Sequence, residues 1–66
     1  METRIRVTGM TCMHCVAAVT KSLQEVPGVE TADVSLDNKE AVVTGTADTA
    51  DLLVAIQNEG YEAELL

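Results

Sequence analysis

Both cysteines of the chain lie in one short stretch, Thr8-Gly9-Met10-Thr11-Cys12-Met13-His14-Cys15. A strand pattern gives way there to a helix pattern. Two thiols three positions apart at the mouth of a helix can converge on one soft metal ion or close into a small redox disulfide. Either use needs a thiolate, so the site must favour loss of the proton. Free N–H groups at a helix start, with the positive end of the helix dipole, supply that bias. The spacing places Cys15 in the first helical turn and Cys12 in the loop just before it. Gly9 gives that loop backbone freedom. The Cys15 thiol is expected to titrate below the free value of roughly 8.5.

Counting donors narrows the metal. A closed zinc site wants four Cys or His ligands, and this chain has two Cys and one His. Soft thiolates select Cu(I), an ion content with few ligands. Two sulfurs with an open edge let a partner's thiolate enter before the old ligand leaves, which favours transfer over storage. A dithiol oxidoreductase is the rival from another class. It is weakened by the shortness of the chain, by the lack of aromatic residues around the motif, and by the position of Pro27, the only proline, which closes a helix instead of facing the cysteines.

The neighbours of the pair are weighed one by one. His14 is a third ligand by chemistry, but one residue before Cys15 on a helix start it points about 100° away. It is expected to face solvent, a ligand role in a copper-bridged dimer being the alternative. Met10 is expected to plug the core, Met13 to be an exposed contact residue, and Thr11 to be a spacer whose amide shapes the loop. Lys21 lies almost two turns on, as a solvated helix charge.

The elements that must position this loop follow from hydrophobic period. Ile5 and Val7 alternate with Arg4 and Arg6 over residues 3–8, a strand with one buried face. Val16, Val19, Leu23 and Val26 then recur at helical spacing until Pro27-Gly28. Ala32, Val34 and Leu36 alternate inward, Asp37-Asn38-Lys39 supplies a hairpin turn, and Ala41 and Val43 continue a third strand. Asp48 is a good N-cap for a second helix carrying Leu52, Leu53 and Ile56, and Gly60 suits its C-terminal stop. Tyr61, Ala63 and Leu65 alternate as a last strand. The order βαββαβ predicts a ferredoxin-like α+β sandwich over residues 1–66, with a four-stranded antiparallel sheet and both helices on one face.

Composition sets limits on function. A chain of 66 residues buries only about 60% of its unfolded surface. Its hydrophobic content is 47% with Tyr61 as the one aromatic, so the core must be aliphatic. Eleven acidic against four basic residues give a net charge of −7, which argues against nucleic acid and anionic membranes. No apolar run reaches the ~18 residues of a spanning helix, and the N-terminus lacks the apolar segment of a secretion signal. A cytoplasmic protein is expected. From Thr8 to Thr20 no charged Asp, Glu, Lys or Arg occurs. Met13, Val16 and Ala17 are therefore candidates for a neutral docking patch, with the acidic surround steering towards a basic partner.

At these residues a family resemblance enters. Gly9-Met10-Thr11-Cys12-Met13-His14-Cys15 resembles the GMTCxxC signature of heavy-metal-associated domains, and Val26-Pro27-Gly28-Val29 and Glu59-Gly60-Tyr61 match further stretches of that family. The resemblance covers essentially the whole chain, whose length is that of the free-standing bacterial copper chaperones. It implies Cu(I) carried on Cys12 and Cys15 and delivered to the metal-binding domain of a copper-transporting P-type ATPase. It also implies Met10 packed inward beneath the loop and Tyr61 beside the metal, limiting solvent access. The chain is expected to be a monomer without metal, with a copper-bridged dimer as a further possibility. The rivals within the family are an excised module of a transporter and a carrier of zinc or mercury. The initial Met1 and the lack of a trailing linker favour an independent protein. Zinc carriers often place an acidic residue where Thr11 stands. No acid–base constellation, phosphate loop or substrate pocket is legible, so no enzyme is expected.

Overall fold

A computed structural model describes residues 2–66; Met1 lies outside them. The elements are β1 (Glu2–Thr8), α1 (Met13–Gln24), β2 (Val29–Ser35), β3 (Glu40–Gly45), α2 (Thr49–Asn58) and β4 (Glu62–Leu65). This is the expected βαββαβ order of a ferredoxin-like sandwich. The sheet runs β2-β3-β1-β4, antiparallel throughout.

The register explains why one face is dry. Ile5 lies opposite Ala41 and Leu65, Val7 opposite Ala63, and Val34 opposite Ala41. These side chains therefore share one face, because successive strand residues alternate between the two. Val16, Val19 and Leu23 of α1 and Leu52 and Ile56 of α2 close over that face in a single aliphatic cluster. Each fully buried Val, Leu or Ile contributes about 1.5–3 kcal/mol. Among the described residues no polar side chain is buried, so the core is held by packing alone.

Four details differ from the periodic reading. α1 ends at Gln24, so Val26 packs on the core from the turn that follows. Leu36 belongs to the 36–39 turn and not to the strand. In that turn Lys39 takes φ 55°, while Asn38 N–H donates to Ser35 Oγ at 3.2 Å. Leu65, on the inner face opposite Ile5, is still 47% exposed, because β4 is a short edge strand. Val16, a candidate docking residue by sequence, is buried in the core. It shares the inner stripe of α1 with Val19 and Leu23 and so cannot meet a partner.

The connections decide where the chemistry sits. The β1–α1 loop, the 36–39 turn and the segment between α2 and β4 gather at one end of the sheet. Val7 N–H donates to Lys39 O at 2.9 Å there. α2 begins at the opposite end, where Asp48 caps it by accepting from Ala50 N–H at 3.3 Å, and it stops beside the loop. Gly60 N–H donates to Gln57 O at 2.9 Å, and Gly60 takes φ 94°, as its expected place at the helix stop requires.

Candidate metal centre

The loop is anchored from below. Gly9 turns the chain out of β1 with φ 111°, a backbone region that side chains avoid. Met10 then drops back into the core, 8% exposed, as expected of it. The short span left between this plug and α1 carries Thr11 and Cys12. Cys12 is the N-cap of α1, with extended backbone and no side-chain cap. Cys12 O accepts from Cys15 N–H at 3.0 Å and from Val16 N–H at 3.3 Å. Cys15 therefore sits in the first turn, facing Cys12.

The two sulfurs are 4.0 Å apart, and both thiols are free. Their surroundings differ. Cys12 is exposed, whereas Cys15 is half-buried. Thr11 Oγ1 lies 3.7 Å from Cys15 Sγ. The Thr11 N–H is the chief cause of a Cys15 pKa lowered to about 6, followed by the hydroxyls of Tyr61 and Thr11 and the N–H of Cys12; burial opposes them. The direction agrees with the expectation, but the chief donor is an amide of the loop before the helix. Thr11 is thus more than a spacer. A hydroxyl four residues before a cysteine was the only sequence signal for it, since a backbone N–H leaves none. The same hydrogen bond raises the Tyr61 pKa, assisted by burial and by charge on Cys15.

The structure brings Thr11, Cys12, Cys15 and Tyr61 together, with Met10 beneath them. Met13 is 68% exposed, and His14, Ala17 and Lys21 are also on the surface. Among the described residues no third His, Cys, Asp or Glu gathers with the pair into a metal-holding group. What remains is a two-sulfur donor set, soft in character and open on the solvent side. A groove along β4, lined in part by Arg6, Tyr61 and Glu62, touches the site only through Tyr61. No helix among the described residues is long and apolar enough to cross a membrane.

The chain belongs to the heavy-metal-associated domain family, whose description matches residues 4–62. It is 49% identical over 61 residues to a copper-exporting P-type ATPase of Vibrio cholerae serotype O1, covering 91% of this chain and 7% of that protein. A solved copper binding domain from a P-type ATPase superposes with a TM-score of 0.95 at 35% identity, covering 98% of this chain and 92% of that one. A CopZ metallochaperone structure gives 0.93 at 31% identity, covering 97% and 100%. The chain spans only 7% to 9% of the length of the curated ATPases it matches.

Proposed function

We propose that the chain carries one Cu(I) ion on Cys12 and Cys15 and passes it on by thiolate exchange. The observation that carries this reading is the unequal pair: sulfurs 4.0 Å apart, one held by its neighbours and the other exposed. Two anionic sulfurs suit a soft monovalent ion. An incoming thiolate adds to the ion from the open side, and Cys12 is the ligand released first because nothing ties it down. Cys15 follows. Copper stays Cu(I) throughout, so no electron changes hands and the chain acts as a carrier and not as a catalyst.

The natural acceptor is the metal-binding domain of a copper-transporting P-type ATPase, reached through exposed Met13 and Ala17 with the acidic surround facing a basic rim. Such delivery takes place in the cytoplasm, from a chain that is monomeric without metal and that copper can bridge into a dimer. All 66 residues act as one metal-binding unit. A second reading draws support from the 49% identity to an ATPase segment: the same unit serving as the metal-receiving module of a transporter. Ligands and cargo are common to both readings.

Competition against a calibrated Cu(I) chelator, followed by mass measurement, tests the ligand assignment. One Cu(I) per reduced chain is expected, with loss of uptake in the Cys12→Ser/Cys15→Ser double variant. Undiminished uptake by that variant overturns the assignment. Transfer to an isolated ATPase metal-binding domain, absent in the variant, tests the delivery step.

A further inference from the structure

A glycine with positive φ faces the Tyr61 ring from across the fold. A Cβ added at Gly9 (φ 111°) lies 3.3 Å from Tyr61 Cδ1. The bare face of Gly9 is therefore in contact range of the ring. Tyr61 is half-buried against the same core cluster as Cys15, so the ring has packing on one side and the Gly9 backbone on another. We infer that Gly9 is a positioning residue: its missing side chain seats the Tyr61 ring so that the hydroxyl reaches the sulfur of Cys15.

The physical argument is one of leverage. A methyl at position 9 displaces the near edge of the ring by a few tenths of an ångström. The hydroxyl, at the far end of the ring, swings further than the edge that is pushed. Hydrogen bonds weaken steeply as distance and angle depart from their optimum, so a small push at Cδ1 weakens the hydroxyl's interaction with Cys15, one of the causes of that thiol's lowered pKa. The Gly9 requirement is thus twofold, a left-handed turn and an empty seat. Only the second concerns the metal ligand. Insofar as the seat governs cargo release, the inference rests on the copper reading above; the seat itself does not.

The chain has one tyrosine and no tryptophan, so its intrinsic emission reports on this ring alone. A sulfur that accepts the phenolic hydrogen bond quenches that emission. In the reduced, metal-free protein Gly9→Ala is expected to raise emission towards the level of a Cys15→Ser variant. Emission unchanged in Gly9→Ala overturns the inference. Should Gly9→Ala fail to fold, the wild-type protein still decides: proton–proton contacts in NMR spectra between Gly9 Hα and Tyr61 Hδ are expected, and their absence overturns it.

A second arm reads function. Tyr61→Phe and Gly9→Ala are expected to change the rate of Cu(I) transfer to a chelator in the same direction, by about fivefold for one hydrogen bond. The double variant changes it no further than Tyr61→Phe alone. Additive effects mean that Gly9 acts through backbone strain and refute the seat. Failure of the wild-type protein to take up Cu(I) refutes the copper reading and leaves the emission result standing.

Discussion

The two helices occupy matching places in the repeated strand–helix–strand halves, yet their first turns are satisfied by different means. α2 is capped by its own Asp48 and has Asp51 in its first turn, both favourable next to unpaired N–H groups. α1 begins at Cys12 with no side-chain cap and no acidic residue in its first turn. The sequence chose a cysteine where Ser, Asp or Asn would have stabilised the helix. The difference teaches that the start of α1 gives up local stability to keep two sulfurs at an exposed helix mouth.

Substituting the cap residues tests that contrast most strongly. Cys12→Ser is expected to abolish tight Cu(I) uptake while stabilising the metal-free fold by about 1 kcal/mol, through a cap of the kind α2 already has. Chelator competition and urea unfolding of the same sample read both effects. A Cys12→Ser variant less stable than wild type breaks the contrast. Asp48→Ala is the mirror experiment: a loss of about 1 kcal/mol with Cu(I) affinity unchanged.

A smaller effect appears in the pH dependence. Cys15 falls from an ordinary 9.0 to about 6 in the folded chain, so folding favours its thiolate. The stability this adds is complete above the ordinary thiol value and fades as pH drops to about 6. Metal-free protein should therefore gain stability between pH 6 and 9, and Cys15→Ser should flatten that gain. The smallest change is expected from Thr11→Ala, which removes a hydroxyl but keeps the N–H that contributes most. The Cys15 titration, followed by alkylation rate, should move only part of the way back. A full return to ordinary thiol behaviour would give the hydroxyl the role assigned to the amide.

Much of the fold was legible because its determinants are side-chain patterns. Ile5 and Val7 alternate, Val19 and Leu23 keep helical spacing, and Asp48 and Gly60 mark the ends of α2. Leu65 takes the inner face yet stays 47% exposed, because alternation says which face a residue takes and not whether its strand is an edge. Val16 was misassigned because a residue within an uncharged stretch looks available until the helix stripe is followed through it. At the site, the cysteine pair and its place at the helix mouth could be read directly. The grip of Thr11 on Cys15 could not, since its main donor is main chain. Gly9 was legible as a flexible point but not as a seat, because the ring it faces arrives from fifty-two positions away, at Tyr61.

The separation of the sulfurs has a geometric consequence. Sulfurs 4.0 Å apart, each at about 2.3 Å from an ion as in zinc thiolates, subtend roughly 120° at it. That is the corner angle of a flat triangle and not a straight line. An ion seated between them without movement of the loop therefore has its third vertex vacant, directed outward, and ready for an arriving donor.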